Sequence, residues 1–250
     1  MEREALFIKK MEETADNAYQ RGIVSFSDFL DLYEQHLLQK VSWTEHGTSL
    51  KLYGGYETAE RRMAAFVPQE VCYPWTYPFS CLRIRASAPK YAGVLTHRDY
   101  LGAVLGLGIE RRVIGDILTG DKEAYLFCQE DMSRFLLSEL RSVGRTAVSV
   151  SLCENPEEIP KPREEEITGT VASVRLDAVI ALAFRSSRSS LASLAEAGRV
   201  FVNGRMITSN GYVPDPGDQV SVRGLGKFRF GQVLSRTKKG RNLISVYRYI

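Results

Sequence analysis

Asn203-Gly204, set between the alternating run Arg199-Val200-Phe201-Val202 and Arg205, constrains the fold of this chain more than any other dipeptide in it. Both residues tolerate positive φ, which a two-residue hairpin turn requires, so the pair predicts antiparallel strands on either side. A second turn signal, Pro214-Asp215-Pro216-Gly217-Asp218, leads into another alternating run from Gln219 to Arg223. Ahead of the hairpin, Arg175 to Phe184 places Leu176, Val179, Ile180 and Ala183 on one side of a helix, with Ser173 as the expected N-cap. After the polar break Arg185-Ser186-Ser187-Arg188, Ser189 is expected to cap a second helix, Ser190 to Ala197, that presents Leu191 and Leu194 and closes at Gly198. The pattern predicts two short helices packed on a small sheet. From Lys227 to the end an additional hairpin is expected. Phe228, Phe230 and Val233 alternate on one arm, Leu243, Ser245 and Tyr247 on the other, and Lys238-Lys239-Gly240-Arg241 forms the tip.

Charge is segregated along the 250 residues. The formal net charge is only +3, yet from Thr170 onward 13 Lys and Arg stand against 4 Asp and Glu, a net of +9, while the remainder carries 20 against 26, a net of −6. A region so basic suits a polyanion, because phosphate contacts supply most of the affinity for nucleic acid, and on charge alone a solvated basic face is the alternative reading. The stretch Glu154 to Thr170 (ENPEEIPKPREEEITGT) combines three prolines with a run of acids and reads as a linker between domains.

Before that stretch, two helices are predicted, Glu2 to Tyr19 and Phe26 to Gln39, the second opened by Ser25 or Ser27 with Phe29, Leu30, Tyr33 and Leu37 at helical spacing. Residues 81 to 152 then give a β-α-β-β-α-β order: Leu82 to Ala86, a helix from Thr96, Val113 to Leu118, Ala124 to Cys128, Asp131 to Leu140, and Thr146 to Leu152. This is the ferredoxin-like order shared with RNA-recognition-motif domains. Such domains stack bases on strand aromatics, and Tyr125 and Phe127 share one face; a core role is the favoured reading of both. The expected organisation is therefore α+β: an N-terminal helical region (1–80), a ferredoxin-like domain (81–153), a linker (154–170) and a basic C-terminal module (171–250).

The succession RLDAVIALAF, SRSS, AGRVFVNGR and PGDQVSVRG resembles the RNA-binding domain of ribosomal protein S-four over about 50 residues. With the βαββαβ region and the extension SVRGLGKF, most of the chain resembles the YlmH family of bacterial ribosome-associated proteins. The resemblance implies a protein that binds the large ribosomal subunit when a peptidyl-tRNA is left on it and assists ribosome-associated quality control. The expected partners are structured RNA (rRNA and possibly tRNA) and the large ribosomal subunit, with no membrane and no DNA, in the cytoplasm. No stretch approaches the roughly 20 apolar residues of a membrane helix, and Met1 to Met11 lacks the apolar run of a signal peptide.

Arg185 and Arg188 at the interhelical turn are the leading RNA-contact candidates, since guanidinium forks bind two phosphate oxygens at once, with Ser187 and Ser189 beside them. Asn203, Arg205, Arg223, Lys227, Lys238 and Lys239 complete the candidate set. No cofactor, metal site or catalytic residue is expected: Cys72, Cys81, Cys128 and Cys153 form no Cys-x-x-Cys pair, and His36, His46 and His97 have no metal spacing. The alternative is an RNA-modifying enzyme. Arg175-Leu176-Asp177 mimics the sequence around a pseudouridine synthase aspartate, but Asp177 is expected within the first turn of a helix, where a carboxylate meets the helix dipole. Gly102 to Gly108 (GAVLGLG), the nearest approach to a methyltransferase glycine turn, follows helical sequence, and Gly106 and Gly108 are expected to end the Thr96 helix. A protein-binding adaptor is a third class, through Tyr73-Pro74-Trp75-Thr76-Tyr77-Pro78-Phe79, although plugging a domain edge is the favoured role of that cluster.

Overall fold

The computed structural model describes residues 2–90, 92–160 and 163–249, and the chain divides into two compact units, Met1–Pro160 and Lys161–Ile250. No helix among the described residues is long and apolar enough to cross a membrane.

The first unit opens with α1 (Glu2–Arg21), which buries Met11, Ala15 and Ala18. Next come β1 (Ser25–Leu30), α2 (Leu32–Leu38), β2 (Thr48–Tyr53) and β3 (Arg62–Pro68); the three strands form an antiparallel sheet in the order β1-β3-β2. The expected helix from Phe26 to Gln39 is thus corrected to a strand followed by a shorter helix. Apolar spacing suited both, and two local bonds decide. Asp31 accepts from the Glu34 amide at 2.9 Å while the Glu34 carboxylate accepts from the Asp31 amide at 2.8 Å, a capping box that starts α2 at Leu32 instead of Phe26. The N-terminal region is consequently a helix-backed sheet, not a set of helices.

Then follow β4 (Phe79–Ala86), α3 (His97–Gly106), β5 (Ile114–Thr119), β6 (Glu123–Gln129), α4 (Glu130–Glu139), β7 (Ser142–Val143) and β8 (Thr146–Leu152). The sheet order β5-β6-β4-β8-β7 with antiparallel pairing is the ferredoxin-like arrangement extended by the short β7. Thr96 caps α3 with Asp99, and Gly108 at φ 83° follows its end, so the glycine cluster finishes a helix as expected. Ala124, Leu126 and Cys128 of β6 face the helices. Tyr125 and Phe127 face the other way and are also buried, Phe127 against Phe29 and Met63. Both aromatics serve the core. Segment 73–79 lies over the same cluster: Phe26 packs on Trp75 and Tyr77 at 5.9 and 5.6 Å, and burial pushes the Tyr77 phenol up to about 12.

Asp116 of β5 joins the two sheets of this unit. Its carboxylate accepts from the Tyr56 hydroxyl and Glu60 amide at 2.7 Å each and from the Arg61 amide at 3.1 Å. Arg61 in turn donates to the carbonyls of Phe29 and Ile114, and burial lowers its pKa.

The second unit contains β9 (Glu164–Val171), α5 (Leu176–Ala183), α6 (Arg188–Glu196), β10 (Val200–Val202), β11 (Arg205–Met206), β12 (Gln219–Val222), β13 (Gly226–Arg236) and β14 (Asn242–Tyr249), with sheet order β11-β10-β12-β13-β14-β9. The expected linker is corrected here. Residues 164–171 form a strand paired with β14 along its whole length, from Glu164 opposite Tyr249 to Val171 opposite Asn242, and the C-terminal unit starts at 161 instead of 171. Alternating apolar side chains on one sheet face, among them Val200, Val202, Val220, Val222, Phe228 and Phe230, enclose a core with Leu176, Val179 and Ile180 of α5. Asn203 and Gly204 take φ of 46° and 74°, as the hairpin requires.

Asp116→Ala leaves its three donors without their acceptor, and is expected to cost about 2–3 kcal/mol. Urea unfolding should show a lower midpoint at unchanged slope; an unchanged midpoint would dismiss Asp116 as the tie between the two sheets.

Candidate nucleic-acid interface

The turn after α5 is built by the backbone. The Ser186 amide donates to the Ala181 carbonyl at 3.0 Å and the Arg185 amide to the Leu182 carbonyl at 3.2 Å, with Arg185 in the left-handed region at φ 50°. This double bond pattern closes a helix by reversing the chain at the left-handed residue. Gly198 closes α6 in the same way, its φ 65° accompanied by the Arg199 amide donating to the Leu194 carbonyl at 2.9 Å. The expected N-cap serines are displaced: Arg175 precedes α5, and α6 begins at Arg188, before Ser189. Ser173 lies in a bend and Arg175 is extended at φ −96° and ψ 151°, so the first helix starts only where the Leu176 amide reaches the Tyr212 carbonyl at 2.7 Å.

Arg185 is 66% exposed on its side chain, and its guanidinium donates to Glu165 at 2.6 Å. The other oxygen of Glu165 accepts from Arg248, also at 2.6 Å. The leading contact candidate therefore carries an intramolecular carboxylate, supplied by the strand that composition had presented as linker. Ser187 is exposed beside it, while the side chains of Arg188 and Ser189 lie outside the described residues. The hairpin joining β13 to β14 exposes Lys238 and Lys239. Arg241, which the sequence reading left out of the candidate set, donates to the Thr170 carbonyl at 2.7 Å and lines a cleft with Thr170, Ala181, Leu182 and Ser186. Arg241 thereby places the base of that hairpin beside the turn after α5.

The remaining candidates fall elsewhere. Asn203 is internal to the fold: its amide donates to Asp218 at 2.7 Å and its oxygen accepts from the Gln219 amide at 2.9 Å, fixing the β10–β11 turn on β12. Arg205 is exposed next to it. Arg223 and Lys227 belong to the sheet face opposite the helices, where the Arg223 guanidinium lies 4.7 Å over the Phe201 ring. Asp177 sits in the first turn of α5 and pairs with Arg175 at 3.3 Å.

Two short helices backing an antiparallel sheet, with arginines collected at the interhelical turn and on the open face, define a small RNA-binding module joined to a ferredoxin-like domain. Residues 174–220 match the family model described as "S4 domain", and residues 77–157 match the model described as "Putative RNA-binding domain in YlmH". The chain is 31% identical over 240 residues to "Ribosome-associated protein quality control protein P2" of Bacillus subtilis (strain 168), covering 94% of this chain and 91% of that protein. It belongs to the YlmH family. A solved structure of "Cell division protein ylmH from Streptococcus pneumoniae" is 24% identical, with a TM-score of 0.48 over 64% of this chain and 92% of that one.

A phosphate held bidentately by the Arg185 fork competes with Glu165 for the guanidinium nitrogen it occupies, so binding of that kind displaces the carboxylate. Removing that internal anion in Glu165→Gln is therefore expected to strengthen RNA binding about two- to fivefold, the scale of an exposed ion pair. The slope of log K against log salt should also steepen by nearly one, because one more counterion is released. Anisotropy titrations at several salt concentrations measure both; weaker binding at an unchanged slope would refute displacement.

Proposed function

We propose that this chain is a non-enzymatic RNA-binding protein of the cytoplasm that docks on structured RNA, namely rRNA and tRNA on the large ribosomal subunit. In that position it assists ribosome-associated quality control of stalled nascent chains. One observation carries the reading. The S4-domain match falls on the unit whose exposed arginines and lysines surround the turn after α5 and the β13–β14 hairpin. The relative's name supports the ribosomal setting and the quality-control role. Binding without catalysis is supported by the placement of Asp177, whose neighbours are a helix N-terminus and Arg175 and which serves to start α5.

The turn after α5 suits duplex or folded RNA because its groups address phosphates. Arg185 presents a planar fork, and Lys238, Lys239 and Arg241 add charge from the neighbouring hairpin. Phosphate contacts of this kind fix register on a folded RNA without reading its sequence.

Arg185→Ala is expected to weaken binding of a structured rRNA fragment and to remove the protein from the large subunit in a sedimentation gradient. Arg185→Lys keeps the charge without the fork and should recover only part of the binding. Full recovery by lysine, or a larger loss from alanines at Lys238 and Lys239, would move the recognition site away from the turn.

The isolated segment 161–250 should bind the same fragment with steep salt dependence. A segment cut at 171 loses the β9 edge strand and should melt at a lower temperature. Equal melting of the two segments would show that β9 is dispensable to the unit.

A further inference from the structure

In the second unit the pleat sorts the side chains of the central rows by face. Val200, Val202, Val220, Val222, Phe228, Phe230, Ile244 and Val246 point to the helices and are buried. Phe201, Ser221, Lys227, Arg229 and Tyr247 therefore point the other way, and the register sets Phe201, Ser221 and Lys227 in one row and Arg229 opposite Tyr247 in the next.

Two arginines on this face lie over aromatic rings, Arg223 4.7 Å from the Phe201 centroid and Arg229 4.3 Å from the Tyr247 centroid. Phe201 and Tyr247 are both half-buried, and Arg223 is exposed. An arginine resting on a ring presents its second guanidinium face outward, which is a surface on which a nucleobase stacks. Both stacks are held in place: the Phe201 row is braced by Arg199, which donates to the Arg223 carbonyl at 2.6 Å, and Arg229 is anchored by Glu164 at 3.0 Å. Tyr247 donates its hydroxyl to Glu166 at 3.1 Å. Such fixation lowers the ordering cost of stacking.

We propose that this open face is a second RNA contact, a pair of arginine-on-aromatic shelves that takes the unpaired bases of a single-stranded RNA segment. The proposal rests on the reading of the chain as an RNA binder and adds a site chemically distinct from the turn after α5. Three interstrand gaps separate β10 from β14, roughly 14 Å, so the two shelves receive different nucleotides of one strand. Charge selects the occupant. Lys227 and Arg223 favour an anionic backbone along β12 and β13, whereas Glu164 and Glu166 at the β9 margin repel the dense double row of phosphates on a duplex. A base is uncharged and offers a π-face, so it is accepted where a second phosphate strand is not.

The test uses the full chain, a labelled oligoadenylate and a blunt RNA hairpin of equal length, followed by anisotropy. The double variant Arg223→Lys, Arg229→Lys keeps the charge and removes the planar shelves. It is expected to bind oligoadenylate at least about fivefold more weakly, the low end of base stacking, while hairpin affinity stays within twofold. Ultraviolet crosslinking of the unsubstituted protein to oligoadenylate, read by mass spectrometry, should mark peptides containing Phe201 or Tyr247, and this readout does not depend on how the variant folds. Crosslinks confined to other peptides, or lysines as effective as arginines, would overturn the shelves. Hairpin binding with no oligoadenylate binding defeats this proposal alone, and binding of neither RNA defeats it together with the reading beneath it. Capture of an acidic peptide in place of oligoadenylate would also overturn it.

Discussion

The second unit depends on the pairing of β9 with β14. Without it, β14 would be a long free edge, with Ile244 and Val246 at the margin of the core and a row of unpaired amides beside them. Three successive glutamates lead this strand, and the period of two distributes them to opposite faces. Glu165 goes to the helix side, where it meets Arg185 and Arg248. Glu164 and Glu166 go to the open side, where they meet Arg229 and Tyr247. A single strand thus supplies hydrogen bonds to the sheet and carboxylates to both basic surfaces.

This arrangement changes how the charge segregation is understood. Counted from residue 161, the unit has 15 Lys and Arg against 7 Asp and Glu, a net of +8, close to the +9 counted from residue 170. The sum barely moves, but its distribution does. Arg185, Arg229 and Arg248 each have a carboxylate partner within 3.0 Å, whereas Lys238 and Lys239 are exposed and extend the field outward. The paired arginines have fixed guanidinium planes, which suits geometric recognition; the exposed lysines give long-range attraction with little geometry. Net charge predicts a polyanion partner, and the pairing sets which guanidinium groups are held in place.

Much of the architecture was legible because local signals agreed with the final packing. The Asn203-Gly204 hairpin, the Thr96 helix, Gly198 as a helix stop and the βαββαβ order each rest on a turn or cap chemistry with few alternatives. The errors occurred where local composition was overridden from a distance. Ser25–Leu30 has apolar residues at a spacing that fits a helix, but its partners are thirty to forty residues downstream in β3. Glu164–Glu166 looks solvated, since nothing nearby in sequence shows that Arg229, Arg248 and Tyr247 will lie beside it. The candidate site followed the same rule. Residue types were readable one by one, yet the Glu165 partner of Arg185, the internal role of Asn203 and the place of Arg241 beside Ser186 depend on pairings made 15 to 71 residues away.

Strand alternation also explains how so small a unit can offer two chemically different surfaces. The helix side is filled by α5 and α6, so its polar groups emerge only at the rim, where Arg185 turns outward at positive φ and the β13–β14 hairpin adds lysines. In the proposed function this rim of charged tips meets the phosphates of a folded RNA. On the opposite side of the sheet the middle rows set Arg223 over Phe201 and Arg229 over Tyr247. In the proposed second contact these arginine-on-aromatic pairs address bases rather than phosphates. Because Glu165 tunes the rim while Glu164 and Glu166 tune the flat face, the spacing of three adjacent residues on one edge strand couples the electrostatics of both surfaces without any contact between them.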